Sequence, residues 1–276
     1  MALRINTNLA SISAQKHLAN STMMLGKSYE KLSSGLRVVR AADDAAGLGI
    51  SERMRARIRS IGQASRNATD GISMVQTGEG GLNEINQLLN RMRQLAVQSA
   101  NGTASGSDRD TMNQEFQQLV LEIDRIAQAT SFNGNNLLDG SVPSIVFQIG
   151  ENTVADVDTM DITLTSARVS ALTIDSLDIG SGGDQNAAIT NIDSAISSIT
   201  QLRGQLGAYQ NRLEATVNNI AVSLENLQAA ESQIRDVDVA IETANLTRLS
   251  IMQQAGISIL AQANVQPQGA LSLLGG

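Results

Sequence analysis

The sequence predicts a mainly α-helical chain: a long antiparallel helical bundle or coiled coil formed by the N- and C-terminal halves, with a small β-hairpin element around 142–180. Three observations predict it. From Ile192 to Leu227, apolar residues recur at ten steps of three or four that cover 35 residues, an average of 3.5 and the period of a left-handed coiled-coil seam. Aromatic residues are only 2 % of the chain, with no Trp, two Tyr and three Phe, so the large side chains that fill a thick globular core are scarce. The two ends are nearly free of charge. Residues 249–276 contain no charged residue, and the first 26 hold only Arg4, Lys16 and His17 as potential cations and no acid.

The elements follow in order. Ile5, Leu9, Ile12, Leu25, Tyr29 and Leu32 fall at helical spacing, and Ser33-Ser34-Gly35 stops that helix. Asp43-Asp44 can cap the next helix and favour its N-terminal dipole. That helix runs towards Ser99, with Gly78, Gly80 and Gly81 expected to loosen or kink it. Asn101-Gly102 and Ser105-Gly106 mark a loop. Ser107 followed by Asp110 resembles a capping box that opens a helix to about Ala129 through Phe116, Leu119, Ile123 and Ile126. Phe132-Asn133-Gly134 and Asp139-Gly140 then signal turns. Ile145/Phe147/Ile149 and Met160/Ile162/Leu164 alternate with period two, as half-buried strands do. After Gly180-Ser181-Gly182-Gly183 the helical period returns with the 35-residue seam. One helix cannot bury its own stripe, so the seam must pack against the N-terminal helices.

Composition narrows function. The net charge is −7, which argues against nucleic acid as the main partner. Arg37, Arg40, Arg53, Arg55, Arg57, Arg59 and Arg66 form a basic stretch. On a helix, however, Arg53/Arg57 and Arg55/Arg59 lie on different faces, and no aromatics interleave. Salt bridges to the acidic remainder or to neighbouring subunits are expected instead. There are no cysteines, so thiolate chemistry and Cys-based metal sites are excluded. His17 is the single histidine and is expected at a surface or interface. Adjacent carboxylates at Asp43-Asp44 point about 100° apart on a helix, which fits a cap rather than an acid/base pair. Asp156, Asp158 and Asp161 lack a glycine-centred calcium loop. No catalytic constellation, cofactor site or metal site is expected, so the protein is not read as an enzyme. No segment reads as a membrane span: Gln253, Gln254, Gln262, Asn264, Gln266 and Gln268 interrupt the uncharged tail. The start MALRINTNLASISAQ lacks the apolar core and cleavage site of a secretory signal. Export would use a route that reads no cleaved signal.

These segments resemble bacterial flagellin. Asn6-Thr7-Asn8 resembles the family's opening, and LSSGLRVVRAADDAAGLGIS (32–51) is similar to its most recognisable N-terminal motif. LRGQLGAYQNRLE (202–214) and the tail from Ser232, SQIRDVDVAIETANLTRLSIMQQAGISILAQANVQPQGALSLL, are similar to its C-terminal motifs. The resemblance implies a short flagellin without the outer variable domains. Residues 1–42 with 236–276 would form an inner terminal-helix domain, and 43–235 a helical rod domain with a β-element at about 140–185. It implies a structural subunit that assembles with itself into the extracellular flagellar filament and supports motility. The terminal helices would fold on polymerisation and line the filament core.

On this reading the polymerisation interface draws on Ile5, Leu9, Ile12, Leu25 and Leu32 of the first helix and on Arg37, Asp43 and Asp44 in the turn after it. It also draws on Arg235 and Asp236 in the C-terminal turn, and on Ile241, Leu246, Ile251, Ile257, Leu260, Leu271 and Leu274 of the last helix. The resemblance further implies a flagellar cap, hook-junction proteins, an export chaperone and the type III export apparatus as partners. It assigns Arg91, Leu95 and Glu115, in and near NRMRQLAVQSAN, to a surface seen by Toll-like receptor 5. Asn90 and Leu119 stand where recognised forms carry Gln and Arg. Two alternatives share parts of the pattern. A hook–filament junction protein has the same terminal-helix design, but SQIRDVDVA and QANVQPQGALSLL favour flagellin. A regulatory coiled-coil module would bind a separate partner helix and have protected ends in dilute solution.

Overall fold

The computed structural model describes residues 7–274, with side chains from 7 to 265. In chain order the elements are α1 (Leu9–Ser34), α2 (Ala45–Ser99), α3 (Gly106–Ala129), β1 (Ser131–Phe132), β2 (Asn135–Asn136), β3 (Ser144–Gln148), β4 (Thr159–Thr163), α4 (Gln185–Arg235) and α5 (Val239–Leu274). They form two compact units. One comprises the chain up to Ala56 together with Asn226 onward, and the other runs from Arg57 to Glu225.

The 57–225 unit holds the main apolar core. Leu82, Ile85, Leu89 and Met92 of α2 are fully buried, as are Phe116 and Ile123 of α3 and Ile192 and Ile199 of α4. The seam expected from the 3.5-residue period is therefore real, and its most buried members, Ile192, Ile199, Leu206 and Leu213, recur every seven residues as one heptad position does. Ile196, Leu202, Tyr209 and Val217 are half-buried against the same core. α4 begins at Gln185, seven residues before the first seam residue, because Asp184 accepts the amides of Asn186 at 3.1 Å and Ala187 at 3.0 Å and so caps it.

The alternating segments form an antiparallel β3–β4 pair with Ile145 opposite Ile162 and Phe147 opposite Met160. Met160 and Ile162 are buried, so one face of this hairpin closes the helical core. The Phe132-Asn133-Gly134 turn signal belongs to a second, smaller hairpin, β1–β2. Asn133 (φ 48°) and Gly134 (φ 82°) are both left-handed, as a two-residue hairpin turn of this hand requires.

Two expectations need correction. α2 is not broken at Gly78, Gly80 or Gly81. Gly81 lies against Thr130 and Leu138: a Cβ there would stand 2.6 Å from Thr130 Oγ1 and 2.9 Å from Leu138 Cδ1. The missing side chain admits a close neighbour, and tertiary packing overrides weak helix propensity. The capping box of α3 is Ser105 with Asp108, two residues before the expected Ser107 and Asp110. Asp110 instead accepts the Ser181 amide at 2.9 Å, and this hydrogen bond lowers its pKa. Asn8 is the N-cap of α1 and accepts the Ser11 amide at 3.0 Å.

In the other unit α1 and α5 pair antiparallel. Asn8 Nδ2 donates to Ala263 O at 2.7 Å, Ser11 Oγ to Asn264 Oδ1 at 2.8 Å, and Gln253 Nε2 to Thr22 Oγ1 at 3.2 Å. Farther along, the Ser28 hydroxyl donates to Glu242. Gly256 lies against Leu18.

Candidate assembly interface

The turns at the ends of α1 and α4 clasp each other. Gly35 ends α1 in the left-handed region, φ 72°, a conformation that only glycine adopts at no cost. The chain then lies antiparallel to the end of α4, with Leu36 bridged to Asp236. The Arg37 amide donates to Arg235 O at 2.6 Å, and the Val237 amide to Gly35 O at 3.0 Å. The Arg37 guanidinium reaches the Ile234 carbonyl, serving one of the acceptors that the end of a helix leaves free.

Arg235 donates in turn to Glu52 Oε1 at 2.8 Å, and Arg55 meets the same carboxylate at 3.2 Å. The Arg235 hydrogen bond chiefly holds the Glu52 pKa below its ordinary value. The adjacent carboxylates divide the labour of a cap. Asp44 accepts the Gly47 amide at 2.8 Å and starts α2. Asp43 accepts the Arg40 amide at 3.0 Å and the Val39 amide at 3.3 Å, which pulls its pKa down, the Arg40 bond most. Arg37, Asp43, Asp44, Arg235 and Asp236 thus all lie in or beside this clasp.

The helical candidates separate into three groups. Leu25 is buried between α1 and α5, whereas Leu32, Leu246 and Leu260 are half-buried. Leu9, Ile12, Ile241, Ile251 and Ile257 are exposed, each by more than half. Ile5 lies outside the described residues. Leu271 and Leu274 fall within α5, but their side chains lie outside those described. Sequence reasoning missed Met23, Met24, Tyr29, Val239, Ile259 and Val265, each exposed by more than half, and Met252, exposed by 44 %. Their spacing fits no single stripe; the charge-free tail could have pointed to Met252, Ile259 and Val265, whereas charged residues flank Tyr29 and Val239. Among the described residues, thirteen of nineteen exposed large hydrophobics belong to this terminal unit. Large exposed apolar patches of this kind are characteristic of interaction surfaces. Between α1 and α5 it opens as a groove of about 410 Å³. Met24, Leu249 and Met252 line it, and Lys27, Lys31, Arg248 and Glu242 rim it.

Three of the seven arginines in the basic stretch make salt bridges within the chain. Arg40 pairs with Glu30 at 2.6 Å, Arg55 with Glu52 at 3.2 Å, and Arg57 with Glu151 at 2.5 Å. Arg91 and Glu115 are both half-exposed and pair at 2.7 Å. Leu95 does not share that surface: it is 2 % exposed and belongs to the apolar core. Asp158 is buried and accepts the Val154 amide at 3.1 Å, a role that shapes its loop. His17 is exposed. Among the described residues no group of three His, Asp or Glu could hold a metal ion, and no helix is long and apolar enough to cross a membrane.

Comparison with known proteins gives this surface its context. Residues 5–142 match the bacterial flagellin N-terminal helical region, and residues 189–274 match the bacterial flagellin C-terminal helical region. The chain is 48 % identical to a flagellin of Halalkalibacterium halodurans over 98 % of this chain and 99 % of that one. It is 42 % identical to a flagellin of Bacillus subtilis over 99 % and 100 %, and 45 % identical to a flagellar filament 33 kDa core protein of Treponema phagedenis over 98 % and 99 %. Among solved structures it resembles a Bacillus cereus flagellin crystal structure, with a TM-score of 0.50 and 35 % identity over 60 % of this chain and 94 % of that one. A putative flagellar hook-associated protein from Vibrio parahaemolyticus shares the fold at a TM-score of 0.61 and 16 % identity, over 70 % of this chain and all of that one. The chain belongs to the bacterial flagellin family and is a structural subunit of the flagellar filament.

Proposed function

We propose that α1 and α5 are the polymerisation element of this subunit, and that they complete their folding only when further copies cover them. The exposed isoleucines of α1 and α5, the latter without a charged residue from Leu249 onward, support this reading most directly. Water is a poor environment for such a surface, and burial gains free energy without the penalty of desolvating ions. Ordering of the ends and subunit contact are then one event. The contacts are heterologous: one surface of a copy meets a different surface of the next, so growth propagates without closing.

On this proposal, residues 1–42 with 236–276 form the inner domain that lines the filament core, and 43–235 the domain outside it. The clasp residues Arg37, Arg235 and Asp236 hold the end of α1 to the end of α4, with Asp43 and Asp44 beside them. The exposed Leu9, Ile12, Ile241, Ile251 and Ile257 supply contact surface, joined by Ile5, Leu271 and Leu274. The subunit performs no catalysis and works outside the cell. Passage through the type III export apparatus with an export chaperone, junction to the hook and growth beneath a cap follow as the partners of such a subunit. The surface for Toll-like receptor 5 reduces to the exposed Arg91–Glu115 pair, with Leu95 supporting it from within the core.

Deletion of residues 249–276 tests the proposal. The truncated chain should remain a soluble monomer with the 57–225 unit folded, and should form no filaments on cooling after heat dissociation. Normal filaments from the truncated chain, seen by electron microscopy, would refute it.

A further inference from the structure

With nine methionines and no cysteine, thioethers are the chain's only oxidisable sulfur. Their placement is uneven. Met74, Met92 and Met160 are buried in the 57–225 unit. Met23, Met24 and Met252 are exposed at 58, 54 and 44 %, and all three lie on α1 or α5. Met24 and Met252 line the same open groove.

We infer that Met23, Met24 and Met252 form a modification site for hydroperoxides in the unassembled chain, and that their conversion to sulfoxide blocks assembly. The inference rests on the assembly reading above. The reaction needs no protein catalyst. The thioether sulfur donates an electron pair to the distal oxygen of a hydroperoxide, an S–O bond forms as the O–O bond breaks, and the departing oxygen takes up the proton as an alcohol or water. Sulfur loses two electrons and the peroxide gains them.

The consequence follows from where the new oxygen sits. A thioether is soft and apolar and suits a contact that must adapt to a neighbouring copy. A sulfoxide is a strong hydrogen-bond acceptor. In the free chain, water and the ammonium and guanidinium groups of Lys27, Lys31 and Arg248 around the groove can satisfy it. A second copy presenting apolar side chains offers no replacement, so contact leaves the oxygen desolvated and unpaired. Oxidation therefore acts on free subunits and spares those already covered.

Peroxide treatment of heat-dissociated chain, followed by peptide mass mapping and measurement of the critical concentration for polymerisation, tests the inference. Met23, Met24 and Met252 should gain oxygen well before Met74, Met92 and Met160, and the critical concentration should rise about tenfold or more. Treatment with the two methionine sulfoxide reductases, one for each epimer, should restore it. The same peroxide dose applied to finished filaments should leave the three residues unmodified. The M23L/M24L/M252L chain should polymerise independently of peroxide; should it fail to polymerise at all, reductase rescue of the wild-type chain decides the matter. An unchanged critical concentration with all three fully oxidised would overturn the inference, as would equal oxidation of the three in filaments and free chain. Failure of untreated chain to polymerise would instead refute the assembly reading, and this inference with it.

Discussion

Truncating Ile251 to alanine separates what an exposed apolar residue does for the subunit from what it does for the filament. Ile251 is 61 % exposed, so most of its transfer free energy is still available when a neighbour arrives. Isoleucine carries three more carbons than alanine, worth about 2.4 kcal/mol at ~0.8 kcal/mol each. The uncovered 61 % of that corresponds to about 1.5 kcal/mol, or roughly tenfold in the critical concentration. Within the free chain the loss is smaller, and the better helix propensity of alanine offsets part of it. Helicity by circular dichroism and the melting of the 57–225 unit should therefore be unchanged, while the concentration at which seeded filaments neither grow nor shrink rises about tenfold. I251L, which keeps the volume, should behave as the parent. I251E should abolish growth at any practical concentration, because an unpaired carboxylate would be desolvated against an uncharged surface. If I251A and I251E both assemble at the parental critical concentration, Ile251 is not covered in the filament and the reasoning from exposure fails.

Three further outcomes follow from the folded unit. Gly81→Ala should destabilise it by about 1–2 kcal/mol, since the new methyl meets Thr130 and Leu138. Gly80→Ala, with nothing within 4 Å, should stabilise it by about 0.5–1 kcal/mol, so urea midpoints of the two variants should move in opposite directions. Thr173 holds φ 55°, a conformation costly for a β-branched residue, and Thr173→Gly should gain about 0.5–1 kcal/mol in the same assay. Arg168 meets Asp124 at 3.0 and 3.1 Å and chiefly accounts for a carboxylate pKa below the ordinary 3.8. A lowered folded pKa contributes stability that is present above the unfolded value and lost as pH falls through the folded one. Asp124→Asn should thus lower the melting temperature at pH 7 by about 2 °C, and the gap should close as pH falls below 3.8.

The features legible in the sequence were those carried by local periodicity. Ile192, Ile199, Leu206 and Leu213 announced the α4 seam because one heptad position faces the core. Ile145/Phe147 and Met160/Ile162 announced the hairpin for the same kind of reason, with a period of two. Gly35 could be read as a stop because a left-handed cap depends on one residue. The features that escaped depend on neighbours distant in sequence. Gly81 looks like a weakness until Thr130 and Leu138 are placed beside it. Ser105 and Ser107 offer near-equivalent capping patterns, and the contact of Asp110 with Ser181 decides between them. Nothing local pairs Leu36 with Asp236, or Ser28 with Glu242, since their partners lie some 200 residues away. Leu95 illustrates the converse: a motif assigns it to a surface, while the helical phase of α2 buries it.

The apolar residues of α5 show why one partner helix is insufficient. At about 100° per residue, the half-buried Leu246, Leu249 and Leu260 and the buried Ala263 fall within an arc of roughly 100°, the face that α1 covers. The exposed Ile251, Ile257, Ile259 and Val265 spread over about 200° on the remaining circumference. A helix that is apolar nearly all round is stable only when surrounded, and α1 meets one side of it. No single additional helix can reach both Ile257 and Ile259, which point roughly 160° apart. The uncovered surface therefore calls for neighbours on at least two further sides. A closed pair of subunits, which repeats one self-complementary patch, would leave one of those sides bare, whereas a helical array gives each copy several different neighbours at once. The distribution of apolar residues around one helix thus selects an open polymer over a dimer.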